Sequence, residues 1–241
     1  MSLYQYSKSK PKKRSTFFGR EGLAFIFSVL GIFLVGNAVA PIVNYQMRYA
    51  GRFGKILSPL VYDSGSVLGK LSAQAQEDER DYTLISSWFT EEKAPKSGGL
   101  PPKMEISHYF ISIPKLRIKD AIVRVGGEDL KKNLIHYPTT AFPGEPGNAV
   151  VFGHSVLPQF FNPENYLTIF STLYKLKEGD EVNVGFDGIN YRYLVEDLYE
   201  VTAEDLSVLE QRYDDRFLTL ITCSPPGTYL RRLVVKARLV E

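Results

Sequence analysis

Residues Phe217–Cys223 read FLTLITC, an apolar and β-branched run that ends on the only cysteine of the chain, with Pro225-Pro226-Gly227 close behind. Such residues favour a pleated strand, and the prolines force a turn, so the segment reads as a strand that carries its cysteine at the rim. A nucleophile there is held by a rigid ladder and stays accessible. Working outward, similar short runs recur at Tyr109–Ile113, Ala121–Val125, Ala149–Phe152, Glu181–Phe186, Tyr191–Val195 and Leu233–Val240. Turn formers bound them at Gly126-Gly127, Pro143–Gly147 and Asp187-Gly188, and the last of these predicts a hairpin. Helices are expected at Tyr166–Leu176 and, shorter, at Ala203–Glu210 with Thr202 as N-cap. Seven or more short strands in about 135 residues predict a mainly β fold, closed or nearly closed into a barrel.

Three features converge on one chemistry. A lone thiol forms no internal disulfide, and a thiolate zinc site needs several ligands, so Cys223 is a candidate nucleophile. A free thiol with a pKa of ~8.5 is mostly protonated at neutral pH and needs a base or a nearby cation. The run Gly147–Ser155, GNAVVFGHS, again ends a strand on a polar residue, His154, with Gly153 allowing close backbone approach. Histidine serves first as base and then as acid to a leaving amine. His108, at a strand start, and His136, in a segment that reads as packing, rank below it. Arg231-Arg232 opens the final strand. Neighbouring strand residues point to opposite faces, so one arginine can stabilise the oxyanion of acyl transfer while the other is solvated.

The N-terminal part reads as an address and an anchor. Gly22–Val43 carries no charge and is apolar on every side, long enough to cross a bilayer as a helix. Lys8, Lys10, Lys12, Lys13, Arg14 and Arg20 precede it, which keeps the N-terminus cytoplasmic and sends the remainder outward. Ala38-Val39-Ala40 has the form of a signal-peptidase site, but Pro41 follows it directly, so an uncleaved signal anchor is expected. The expected organisation is a basic tail over 1–21, a single-pass transmembrane anchor over 22–43, an extracytoplasmic spacer over 44–105 and a catalytic domain over 106–241. In the spacer, Ile56–Leu60 and Val67–Leu71 are candidate short helices, Gln74–Asp81 is charged, and Ala94–Lys103 is Pro- and Gly-rich. The pair Trp88-Phe89 reads as packing against the domain. The net charge of +2, concentrated in the tail, excludes a nucleic-acid partner for the body.

These residues resemble the sortase family. The likeness runs from Ile106 to Val240 and rests on Ile113-Pro114, Pro143–Gly147 with Asn148, Gly153-His154, Leu176–Asp180 (LKEGD), Thr219–Cys223 (TLITC) and Arg232–Val235. It implies a closed eight-stranded barrel and a membrane-anchored cysteine transpeptidase. Such an enzyme cleaves an LPxTG-like sorting motif of secreted proteins through a thioester, then passes the acyl group to an amine of a cell-wall precursor or a pilin lysine. Carried over by position, Cys223 is the nucleophile, His154 the general acid/base, Arg232 the oxyanion stabiliser and Thr222 a wall of the peptide groove. The chain departs from the family in the stretch after His154 (FFNPENYLTIF) and in lacking the Asp-Pro-aromatic lid of many pilin-polymerising members. Some members bind calcium. Glu204, Asp205, Glu210, Asp214 and Asp215 lack the spacing of a calcium loop and read as a solvated surface, so no cofactor is expected.

Other readings make different demands. An L,D-transpeptidase carries its cysteine in a Ser-His-Gly-x-Cys-like stretch, and a papain-like protease places Cys before His. The alternative outside enzymology is a membrane-tethered β-domain that only binds surface proteins or cell wall, with an unreactive buried thiol and no His or Arg near it.

Overall fold

A computed structural model describes residues 20–50, 81–88 and 107–240. The basic tail, the candidate helices at Ile56–Leu60 and Val67–Leu71, nearly all of Gln74–Asp81, Phe89 and the Ala94–Lys103 linker lie outside the described residues. The chain divides into two compact units, Met1–Ala40 and Pro41–Glu241. In the first, the uncharged run folds as helix α1 (Arg20–Tyr45), which ends beyond the unit boundary. Its 26 residues measure about 39 Å at 1.5 Å each, more than the hydrocarbon thickness of a bilayer. Phe25, Ile32 and Phe33 are exposed on it, and among the described residues it is the one helix long and apolar enough to cross a membrane.

The second unit is a closed barrel of eight strands: β1 (His108–Ile113), β2 (Ile118–Val125), β3 (Leu134–His136), β4 (Gly147–Phe152), β5 (Glu181–Phe186), β6 (Ile189–Thr202), β7 (Arg216–Ser224) and β8 (Arg231–Leu239). Around the barrel they run β1-β2-β3-β4-β7-β8-β6-β5 and back to β1. The expected strands are present, with β6 longer than its apolar pattern and β3 added. Asp187 and Gly188 join β5 to β6 with φ of 51° and 74°, the two positive values that a two-residue I′ hairpin turn requires. Closure leaves no sheet edge to pair with another chain.

Two apolar layers follow from strand alternation. Tyr109, Ile111, Val123, Val151, Leu218, Leu220 and Leu233 fill the interior. Val150, Phe152, Ile221, Cys223 and Val234 face outward and are covered by Tyr82, Ile85, Trp88, Leu130 and Val208. The β4–β7–β8 wall is therefore buried on both faces.

The two stretches read as helices survive only as single 3-10 turns, at Leu173–Lys175 and Ser207–Leu209. Around the first, Asn162, Asn165 and Thr168 bond nearby backbone groups through their side chains, the local competition that disfavours a helix. Thr202 ends β6 rather than capping a helix, and Asp205 Oδ1 accepts the Ser207 amide instead.

His136 is a core residue, as its segment suggested. Its Nδ1 lies 3.0 Å from the Tyr109 hydroxyl, and its ring stacks on Phe142 at 4.9 Å. Burial pushes its pKa down to about 4 from an ordinary 6.5. Between those values the unfolded chain takes up a proton that the folded chain refuses. Stability is therefore complete above pH 6.5 and falls as the pH drops towards 4. At ~1.4 kcal/mol per pH unit the loss amounts to about 3 kcal/mol. Urea titrations of the wild type across this window should show that slope, and His136→Gln should flatten it.

Candidate active site

The position of the site follows from one pairing. β4 and β7 are parallel neighbours, in register from Gly147↔Arg216 to Phe152↔Ile221, so their C-terminal ends lie at the same rim. The pairing continues past β4. The Gly153 amide donates to the Ile221 carbonyl (3.0 Å), the Thr222 hydroxyl to the Gly153 carbonyl (2.8 Å), and the Ser155 hydroxyl to the Cys223 carbonyl (3.1 Å). Two residues beyond Phe152↔Ile221, the register sets His154 beside Cys223 on chains ~4.8 Å apart.

Gly153 is required there by space. A Cβ would stand 2.3 Å from Phe170 Cδ2 and 2.7 Å from Leu134 Cδ2. His154 is 5% exposed, and its Nδ1–H donates to the Leu167 carbonyl at 2.7 Å, which leaves Nε2 as the nitrogen with a free lone pair. The Phe170 amide donates to the His154 carbonyl. Burial pushes the imidazole down in pKa, and the Leu167 carbonyl partly opposes this.

Cys223 lies opposite Arg232 in the antiparallel β7–β8 pair, and Arg232 Nη1 stands 3.7 Å from its sulfur. The same nitrogen donates to the carbonyls of Tyr229 (3.1 Å) and Arg231 (3.2 Å). The guanidinium is buried under aromatic rings, its Cζ 4.6 Å from the Trp88 ring and 5.9 Å from that of Tyr82. Tyr82 in turn stacks on Tyr229 at 4.2 Å. Burial pushes the Cys223 thiol up in pKa, and the Arg232 charge partly offsets that. Arg231 faces the other side of the wall, its Nη1 3.1 Å from Glu200 Oε2.

The structure thus brings Cys223, His154 and Arg232 to one rim. Thr222, next to Cys223 in β7, is buried like these three, and its hydroxyl braces the turn carrying His154. Thr222, expected to wall the peptide groove, alternates with Cys223 along β7, so its side chain faces inward. His108 lies exposed at the start of β1, and His136 lies in β3. Trp88 does pack against the domain, but on Arg232 itself. Two partners were not expected from sequence, the Leu167 carbonyl and Glu200. A backbone acceptor has no residue signature, and a lone Glu in a strand reads as solvated. Among the described residues no group of three or more His, Cys, Asp or Glu is placed to hold a metal. Of the acids near the barrel end, Asp214 pairs with Arg212 and Asp215 with Arg238.

Gly153→Ala should cost about 1–3 kcal/mol of stability by overpacking, measured by denaturant unfolding. It should also displace His154, so any activity that uses the imidazole should fall further than stability does.

A protein-family model for the sortase domain matches residues 111–240. Sortase D of Bacillus subtilis (strain 168) is 24% identical over 135 residues, 56% of this chain and 63% of that protein. Sortase A of Bacillus anthracis is 29% identical over 133 residues, 54% of this chain and 58% of that protein. The match therefore spans about three-fifths of the length of these curated relatives. Among solved structures, Clostridium perfringens sortase C with the C-terminal cell wall sorting motif is 26% identical, with a TM-score of 0.47, covering 55% of this chain and 69% of that one. With more than half of its length matched by that domain and its strands closed into an eight-stranded barrel, the chain belongs to the sortase family of cysteine transpeptidases.

Proposed function

We propose that this chain is a membrane-anchored transpeptidase that cleaves an LPxTG-like sorting motif through a thioester on Cys223 and transfers the acyl group to a cell-surface amine. The observation that carries the reading is the 3.7 Å approach of Arg232 Nη1 to Cys223 Sγ, at the rim where the strand register also delivers His154. The acceptor is an amine of a wall precursor or a pilin lysine. The uncharged run Gly22–Val43 within helix α1 supports the anchor, and the basic residues before it favour a cytoplasmic N-terminus with the barrel outside.

The steps follow from these groups. The Cys223 sulfur gives its proton to His154 Nε2 and attacks the scissile carbonyl. Negative charge then builds on the carbonyl oxygen, and the Arg232 guanidinium stabilises it. The C–N bond breaks as His154 returns the proton to the leaving amine, and the thioester remains. The incoming amine loses a proton to His154, attacks the thioester and expels the Cys223 sulfur. Cys223 is 2% exposed and belongs to the apolar layer that also holds Tyr82 and Trp88, so that layer must open for a peptide to reach the sulfur.

Full chain in detergent, mixed with LPxTG-like peptides and an amine, should show a covalent adduct by mass spectrometry that Cys223→Ala abolishes. His154→Ala and Arg232→Ala should each lower transfer by roughly a hundredfold or more. No adduct with any peptide, together with a thiol inert to alkylation, would favour the binding-only β-domain. The pH dependence follows from the two burial effects. The thiol titrates above its ordinary 9.0 and the imidazole below its ordinary 6.5. The thiolate–imidazolium pair is then a constant minor fraction between those limits. Plots of kcat/KM should be flat through neutral pH, falling on the acid side below 6.5 and on the alkaline side above 9.0.

A further inference from the structure

Behind the reacting pair, on the inner face of the same wall, lies a buried carboxylate that none of those steps uses. Glu200 of β6 is 3% exposed. Its Oε1 accepts from the Tyr45 hydroxyl at 2.6 Å and from the Ser224 hydroxyl at 2.5 Å, while Oε2 accepts from Arg231 Nη1 at 3.1 Å. Tyr45 and Ser224 are themselves 2.8 Å apart. Such donors offset the cost of taking a carboxylate out of water. Two of the three are chain neighbours of the reacting residues: Ser224 follows Cys223, and Arg231 precedes Arg232. The β7–β8 ladder pairs Cys223 with Arg232 and Ser224 with Arg231, so two charge systems stand back to back across one thickness of sheet.

The consequence is electrostatic. Two adjacent guanidiniums at a strand end would both raise the potential at the thiol. A thiolate made too acidic is a poorer nucleophile, because nucleophilicity falls with pKa. The other charges that bear on the site are Arg232 itself, His154 from the turn after β4, and Asp81 and Lys131, which act on His154.

We propose that Glu200 is a positioning residue for Cys223. It cancels the Arg231 charge on the inner face, so that a single cation, Arg232, tunes the thiol, and Tyr45 completes the carboxylate's hydrogen bonding. The proposal rests on Cys223 being the reacting thiol, as in the function proposed above. A tie that is only structural would give these side chains the same packing but no signed effect on the thiol.

Cys223 is the only cysteine, so iodoacetamide labelling of the full chain in detergent reports that thiol alone. Its rate against pH gives the midpoint of thiol ionisation. Glu200→Gln leaves Arg231 unopposed and should lower the midpoint by about one pH unit, roughly tenfold in rate where thiolate is limiting. Arg231→Gln leaves the carboxylate unopposed and should raise it by about as much, and the double variant should return near the wild type. Tyr45→Phe keeps the ring, removes one donor from the carboxylate and should give a smaller rise. Equal shifts of one sign, or none, would overturn the proposal. Circular dichroism identifies any variant that fails to fold. Should Glu200→Gln be one, Arg231→Gln and Tyr45→Phe must still raise the midpoint, and a flat result in both overturns it. Because labelling needs no sorting peptide, variants that show these shifts beside a wild type that transfers nothing would count against the transpeptidase reading and leave the charge balance standing.

Discussion

The ladder between β4 and β7 runs parallel over six residue pairs, then continues through the Gly153 amide and the Thr222 and Ser155 hydroxyls. Everything at the rim depends on that direction. Parallel neighbours end at the same edge of a sheet, whereas an antiparallel pairing would put His154 at the far end of a six-residue strand, about 20 Å away at ~3.3 Å per residue. Residues far apart in sequence therefore meet without a flexible loop having to bring them together. The meeting point is also fixed by sterics, since Phe170 and Leu134 leave no room for a side chain at position 153.

Strand alternation divides the β7 and β8 ends into two chemistries. Outward, Cys223 and Arg232 lie in an apolar layer in which rings cover the guanidinium. Inward, Ser224 and Arg231 join Glu200 and Tyr45. Burial acts on the outer groups in opposite senses, raising the thiol and lowering the imidazole, so both favour the neutral pair at rest. Arg232 works against that bias on the thiol, and a cation held dry against Trp88 acts more strongly than one in water.

Much of this was legible in the chain. The β2 segment alternates buried and exposed residues, and Asp187-Gly188 marks the β5–β6 hairpin by turn chemistry. The three-residue β3 was not legible, because Leu134-Ile135-His136 is too short to show a period. Nor was the irregular fold of the Tyr166–Leu176 stretch. In a helix, the Leu167 carbonyl would bond the Ser171 amide; here it takes the His154 Nδ1–H, and the Phe170 amide is given to the His154 carbonyl. Local propensity favoured a helix, and a contact with a residue far back in the chain overrode it. The placement of Cys223, His154 and Arg232 at one rim was legible because each ends or opens an apolar strand. Glu200 was not, since its burial depends on Tyr45, which lies far away in sequence.

That dependence bears on how the domain is to be regarded. Tyr45, Tyr82, Ile85 and Trp88 precede the β-rich stretch, yet all four are buried in its two apolar layers. Removing a buried aromatic or large aliphatic side chain costs about 2–5 kcal/mol where the site cannot collapse, and four such losses rival the whole stability of a domain. Trp88 and Tyr82 cover the Arg232 guanidinium, and Tyr45 holds Glu200. A barrel cut at Ser107 would therefore lose cover from the cation on its outer face and a donor from the carboxylate on its inner face. Its thiol would sit in a wetter, differently charged environment than in the full chain, so the acidity of Cys223 belongs to the chain from Tyr45 onward.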